Sequence, residues 1–214
     1  MSATAPTSPG THVAGTTPYA WPWDGDLDPS RLALIVAGAD SSWLRRSTDA
    51  GAVAIGIAGF ASAIRQAGGL VVHVAHDAVT PGHPLPPFGG DDGADVDHPA
   101  PRERLPLVDP EADVTVVAGG IDGFFASTLD QVLRREHRDH LLLTGFGLEG
   151  PVHSTLRSAN DAGYECLLLT DLCGSLDPAC REAAISTVTM SGGIFGAIGT
   201  SSSLRDALHE RESP

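Results

Sequence analysis

The chain predicts an α/β domain built on a parallel sheet, and three observations carry that prediction. Short runs rich in Val, Ile and Leu alternate with longer stretches of helical periodicity. The runs are apolar nearly throughout rather than at every second residue, the mark of strands covered on both faces. With 214 residues, 42% of them hydrophobic, the chain can bury one sizeable core, and that length fits one domain better than two.

The strand candidates, in order, are Leu32–Gly38, Leu70–Ala75, Val114–Ala118, Leu141–Gly145, Cys166–Thr170 and, with the weakest pattern, Gly193–Ile198. Between them Val53–Gln66 predicts a helix with Ile57, Phe60, Ala61 and Ile64 on one face. Thr128–Arg138, Pro151–Ala162 and Pro178–Met190 read the same way. Pro151 and Pro178 sit where a first helical turn tolerates proline, and Gly163 is placed to cap the third of these helices. Residues 1–18, dominated by Ser, Thr, Pro and Gly, predict a flexible N-terminal arm, which leaves 19–214 as a single domain. Residues 77–110, rich in Pro, Gly and Asp, interrupt the alternation. A loop this long in a compact α/β domain is usually functional or an arm around a neighbour.

Charge narrows the function. There are 27 acidic and 13 basic residues, a formal net charge of −14, and every basic residue is arginine. Without a basic patch such a surface repels phosphate backbones and anionic lipid, so neither nucleic acid nor membrane is an expected partner. The apolar runs are strand-sized, far below the roughly 20 residues of a membrane helix, and the N-terminal segment lacks the pattern of a secretory signal. The three cysteines, Cys166, Cys173 and Cys180, are odd in number and lack C-x-x-C spacing, which argues against a disulfide framework and for a reducing cytoplasm. Gly89-Gly90 and Gly192-Gly193 match no dinucleotide fingerprint, and no cofactor is expected.

Several segments carry a family pattern. They are Tyr19-Ala20-Trp21-Pro22-Trp23-Asp24-Gly25-Asp26-Leu27, the run Ala33–Gly38, and Gly123-Phe124-Phe125-Ala126-Ser127-Thr128-Leu129. The most specific is Val152-His153-Ser154-Thr155-Leu156-Arg157-Ser158-Ala159-Asn160-Asp161-Ala162-Gly163-Tyr164-Glu165-Cys166, followed by Asp171-Leu172-Cys173-Gly174-Ser175. Together they resemble the isochorismatase-like superfamily of cysteine hydrolases, and within it the biuret and ureidoacrylate amidohydrolase branch. The resemblance implies a three-layer α/β/α sandwich around a six-stranded, mostly parallel, doubly wound sheet, with a pocket at the carboxyl ends of the strands. It also implies a chemistry of three residues. An aspartate ending the first strand takes the proton of a cysteine thiol, a lysine after the third strand assists by charge, and the cysteine at a helix N-terminus attacks the amide carbon. A neighbouring base and the positive end of the helix favour thiolate, and backbone N–H groups of the same turn receive the oxyanion.

Carried over residue by residue, the aspartate position falls on Gly38, the lysine position on Ala118 and the cysteine position on Pro151, whose ring also removes an N–H donor. No cysteine precedes residue 166 and the chain has no lysine, so the resemblance implies loss of covalent thiol hydrolysis.

Replacement groups are then sought near the implied pocket. Asp40 lies two residues beyond the aspartate position, and Asp122 and Glu149 flank the pocket. A carboxylate desolvated beside Trp43, Phe124 or Phe125 would have a raised pKa suited to general acid work. The structural alternatives are a helix N-terminal or loop role for Asp40 and a capping role for Glu149 near the Pro151 helix. Gly150 and His76 complete the expected lining. Nicotinamidases in the family hold a metal with an aspartate and two histidines, and Asp77 and His83 imitate part of that set, but the tight D-x-H spacing is absent and no metal is expected. His73 reads as a packed core histidine and His153 as support for its helix or a subunit contact.

The expected function is a repurposed family member that binds a small-molecule pathway intermediate and transforms it by non-covalent acid–base or positioning catalysis. The alternative is a catalytically silent partner subunit or small-molecule binder. A homo-oligomer is expected, or a hetero-oligomer with an active paralogue, with the 19–27 arm and the 77–110 loop suited to subunit contacts.

Overall fold

The computed structural model describes residues 11–22, 27–76 and 113–212, with the backbone of two short strands at 79–80 and 83–84. In order the elements are β1 (Leu32–Ala37), α1 (Ser41–Arg46), α2 (Ala50–Gln66), β2 (Leu70–His76), β3 (Val79–Thr80) and β4 (His83–Pro84). They continue with β5 (Val114–Ala118), α3 (Leu129–Arg135), β6 (His140–Phe146), α4 (His153–Asp161), β7 (Glu165–Gly174), α5 (Arg181–Gly193), β8 (Ala197–Gly199) and α6 (Ser201–Glu212). Six strands form one sheet in the order β5-β2-β1-β6-β7-β8, with every neighbouring pair parallel. The β3–β4 pair is a separate antiparallel ribbon.

The layers follow from the pleat. Along β1, Leu32, Leu34 and Val36 pack with Ile57, Phe60 and Ile64 of α2 and Leu204 of α6, while Ala33, Ile35 and Ala37 pack with Leu133 of α3 and Leu156 of α4. All six β1 residues are buried, so a continuous apolar run is what this central strand requires. The outcome is the three-layer sandwich that the family resemblance implies, on the parallel sheet that the apolar runs predict. Gly163 ends α4 as expected. Its φ is +88°, its N–H bonds the Asn160 carbonyl at 2.9 Å, and the Tyr164 N–H bonds the Ala159 carbonyl at 3.0 Å, the paired bonds of a Schellman cap.

Several boundaries differ from the sequence reading. The helix expected from Pro151 starts as a wide π-helical turn over Leu148–Val152, with Pro151 inside it, and becomes α-helical at His153. Helix α5 loses helical backbone at Met190, and the left-handed residues Ser191, Gly192 and Gly193 turn the chain, so β8 is confined to Ala197–Gly199. Within the segment expected as a free arm, residues 11–18 lie against the sheet. Thr17 exchanges two backbone hydrogen bonds with Ile198, at 3.1 and 2.8 Å, and the Val13 N–H bonds the Trp21 carbonyl at 2.7 Å. Most of the 77–110 loop, including Asp77, lies outside the described residues. No helix among the described residues is long and apolar enough to cross a membrane.

Candidate functional site at the switch point of the sheet

The strand order reverses between β1 and β6, and open parallel sheets hold their ligands at the carboxyl ends of the strands flanking such a reversal. Here those ends lead into residues 38–40 and the turn at 147–152. Gly38 has φ +68°, and a Cβ added to it would collide with the Phe146 carbonyl oxygen and stand 3.2 Å from the Trp43 Cβ. Both the backbone conformation and the space demand glycine there.

Asp40 is the N-cap of α1. Its Oδ1 accepts from the Ser42 N–H at 3.0 Å, the Ser42 hydroxyl at 2.6 Å and the Trp43 N–H at 3.3 Å. Its Oδ2 accepts from the His76 N–H at 3.1 Å, so this buried carboxylate ties α1 to the end of β2. The cap aims α1 so that Trp43 enters the crevice. The indole meets the His76 ring edge-on at 6.3 Å, carries the Arg46 guanidinium on its face at 5.2 Å, and is 5% exposed. On its other side lies the 147–150 turn: a Cβ at Gly147 would stand 3.1 Å from the Trp43 Cε3, and one at Gly150 would stand 3.6 Å from its Cζ3. Among the described residues the Trp43 ring is buried against His76 and this turn.

The turn after β6 uses its own donors. The Gly147 N–H bonds the Gly174 carbonyl at 2.9 Å and the Ser47 hydroxyl at 2.8 Å, the Gly150 N–H bonds the Gly147 carbonyl at 3.0 Å, and the Val152 N–H bonds that same carbonyl at 3.4 Å. Pro151 is buried and has no N–H. An oxyanion would find these amide groups committed. Glu149 accepts from the Leu176 N–H at 2.8 Å and the Asp177 N–H at 3.3 Å, clamping the segment after β7 onto the turn.

The structure thus gathers Gly38, Asp40, Trp43, His76 and Gly150 around one crevice, with Ala118 buried beside His76 in the β2–β5 register. The remaining expected side chains have contacts of their own or are exposed. The Glu149 carboxylate is bound to the 176–177 segment. Asp122 accepts from the Phe124 N–H at 3.0 Å and the Ser158 hydroxyl at 2.7 Å, Phe124 packs on Tyr164, and Phe125 is 56% exposed.

Two further features bear on the chemistry. Asp113 has a fully buried side chain that accepts from Arg65 at 2.8 Å and contacts the His73 Nε2 at 2.9 Å. Burial holds His73 below the usual histidine pKa, and Asp113 opposes that shift. The Cys166 thiol is pushed well up by burial and the Cys173 thiol to about 12, so neither supplies thiolate at neutral pH. Cys180 is exposed, and the Asp177 charge raises it. Among the described residues, no group of three or more His, Cys, Asp or Glu side chains is arranged to hold a metal.

The cap was readable in advance: Asp40-Ser41-Ser42-Trp43 has an N-cap residue followed by the donors it serves. Asp113 was not readable, because its partners lie 40 and 48 residues away in the chain.

Residues 33–201 match the isochorismatase domain, which is most of the chain. The chain belongs to the isochorismatase family. Solved structures with the same fold include an isochorismatase family protein from Burkholderia thailandensis, at 23% identity with a TM-score of 0.65 over 86% of this chain and 97% of that one. A cysteine hydrolase from Pseudomonas syringae pv. phaseolicola matches at 19% identity and a TM-score of 0.66, over 86% of this chain and 95% of that one. The nicotinamidase of Staphylococcus aureus matches at 14% identity and 0.61, over 79% of this chain and 98% of that one. At these identities the likeness is one of fold. In this isochorismatase domain the switch point of that fold holds Trp43, Asp40 and His76, all three buried.

Proposed function

We propose that this isochorismatase-family protein is a catalytically silent member, acting through binding or assembly and not through thiol hydrolysis. One observation carries the reading: Trp43 fills the switch-point crevice between His76 and the 147–150 turn. The disposition of the two candidate carboxylates supports it. A general acid or base must reach the reacting atom at about 2.6–3.2 Å, and Asp40 and Glu149 instead accept backbone N–H groups. The family resemblance adds that Gly38, Ala118 and Pro151 stand at the Asp, Lys and Cys positions, with no lysine in the chain to substitute. A family scaffold kept intact around a Trp43 buried at the switch point suits a partner subunit in a homo-oligomer, or in a hetero-oligomer with an active paralogue.

The test is mass-spectrometric depletion of small amides, imides, ureides and enol ethers by the purified protein, alongside an Asp40→Asn, Glu149→Gln double variant. No depletion beyond buffer is expected. Depletion that co-purifies with the protein overturns the reading, and its loss in the double variant would return Asp40 and Glu149 to a catalytic role.

A further inference from the structure

Helix α5 is dressed differently from α3 and α6. Where α3 shows Arg134 and Arg135 to solvent and α6 shows Arg205, Asp206, His209 and Glu210, α5 shows Ala183, Ser186 and Met190. A surface helix ordinarily turns charged and polar residues outward. Of the 13 residues of α5 only Val188 is buried, so its outward side is not used by the domain's own core. From Ala183 to Leu204 the chain has no charged residue and no histidine, its longest charge-free run, in a molecule of net charge −14.

Within this run the end of α5 forms an apolar turn. The Ile194 N–H bonds the Met190 carbonyl at 3.1 Å, and the two residues are 52% and 49% exposed. The next residue, Phe195, is half-buried and carries the Arg157 guanidinium of α4 over its ring, 4.4 Å from the centroid. His153 meets the same ring edge-on at 6.5 Å. The edge of α4 and the end of α5 thus form one surface that joins two exposed aliphatic side chains, an aromatic ring and a fixed cation. Methionine, aromatic residues and arginine without other charges are the composition of an interface core, and apolar groups gathered in water gain free energy when a partner covers them.

Charge selects the partner. We propose that this face docks a second copy of the same chain. Two molecules of charge −14 repel wherever their acidic surfaces meet, and they approach at least cost where neither shows a charge. An isologous two-fold contact lays the 183–204 run against itself and satisfies that condition on both sides at once. Arg157 adds attraction, because its guanidinium, held on Phe195, meets the acidic surface of the other copy. A basic partner would find no carboxylate in the run. The outward side of α2 is also uncharged, but there Ile55 stands alone among Gly51, Ala52 and Gly59, and the helix's one arginine, Arg65, is tied to Asp113. The contact rests on the reading of this protein as a member of an assembly, yet the two fail separately. Substrate depletion would refute catalytic silence without moving the contact, and a monomer would refute the contact without creating activity.

The experiment is sedimentation velocity on the full chain over a concentration series, with Ile194→Asp, Arg157→Glu and, on the opposite side of the sheet, Ile55→Asp. The wild type is expected to dimerise. Ile194→Asp is expected to raise the dissociation constant by about 30-fold or more, the scale of losing a central apolar contact and burying a carboxylate in its place. Arg157→Glu is expected to raise it by about tenfold, and Ile55→Asp to leave it unchanged. All three positions are exposed, so each variant should keep the far-UV circular dichroism of the wild type, which separates loss of contact from loss of fold. In mixtures of labelled and unlabelled chain, intermolecular NOEs are expected at the Met190 and Ile194 methyl groups. A wild type that stays monomeric overturns the proposal. So does an assembly indifferent to Ile194→Asp, one weakened as much by Ile55→Asp, or intermolecular NOEs confined to other methyl groups.

Discussion

Replacing Gly38 by alanine tests whether the end of β1 has room for any side chain, and Gly68 supplies the internal control. Both residues have positive φ, +68° and +89°, but a Cβ at Gly68 meets nothing within 4 Å whereas one at Gly38 runs into the Phe146 carbonyl. Left-handed backbone costs a non-glycine residue about 1–2 kcal/mol, and Gly68→Ala is expected to lose that and no more. At Gly38 the obstacle is main chain, which yields only if β6 shifts, and overpacking of this kind adds about 1–3 kcal/mol. Gly38→Ala is therefore expected to lose about 2–5 kcal/mol in total. Gly38→Asp, which restores the family's carboxylate, is expected to lose several kcal/mol beyond the alanine variant, because an ion is then buried without a partner. Urea denaturation reads all three through the midpoint, with an unchanged slope as the check on two-state behaviour. Equal losses at Gly38 and Gly68 would mean that the space beyond β1 is open, and the reasoning about a closed crevice would fail.

Other expectations follow from named contacts. Asp40→Ala removes the α1 cap and the acceptor of the His76 N–H, and is expected to cost about 1–3 kcal/mol in thermal or chemical denaturation, with Asp40→Asn closer to wild type; equal stability of all three would deny the capping role. In a thiol titration at pH 8 one cysteine, Cys180, is expected to react in the folded protein, more slowly than a free thiol because Asp177 raises it. Cys166 and Cys173 should appear only on denaturation, and a second fast thiol would contradict their burial. His73 and His153 are both held below the usual histidine value, chiefly by burial. As the pH falls below about 6.5 the unfolded chain takes up these protons first, so stability is expected to drop by up to about 1.4 kcal/mol per pH unit for each histidine. His153→Gln should flatten the slope measured between pH 7.5 and 5.5, and an unaltered slope would remove His153 as a contributor.

Much of the scaffold was legible in the sequence because it depends on local pattern. Val114–Ala118 is a strand over the expected residues, β1 starts at Leu32 as its apolar run does, and Gly163 ends α4 with the cap its position suggests. Six-residue α1 escaped because it is too short to show a helical period, although Asp40 marks its start. Thr17 on Ile198 escaped because the contact is between backbones and leaves no trace in residue type. The site was legible as a neighbourhood and not as a geometry. Gly38, Asp40, Trp43, His76 and Gly150 do come together, but residue identity says nothing of which atoms a carboxylate faces. It also gives no sign that the Trp43 ring fills the crevice instead of lining it. The group of half-buried Arg65 with the buried His73 and Asp113 side chains depends on the crossing of α2, β2 and the entry to β5, a long-range arrangement that no window of sequence displays.

The claim that the switch-point crevice is core and not pocket is tested most directly by adding indole to wild-type protein and to Trp43→Ala. Removing the ring is expected to cost about 3–5 kcal/mol and to leave a hollow of its shape, which free indole can refill. Indole is expected to raise the melting temperature of the variant and to perturb amide signals of His76 and Gly150 there, while the wild type shows neither effect. Indole binding to the wild type with shifts at Gly38, His76 and Gly150 would mean that the crevice already admits a ligand, and would contradict the account.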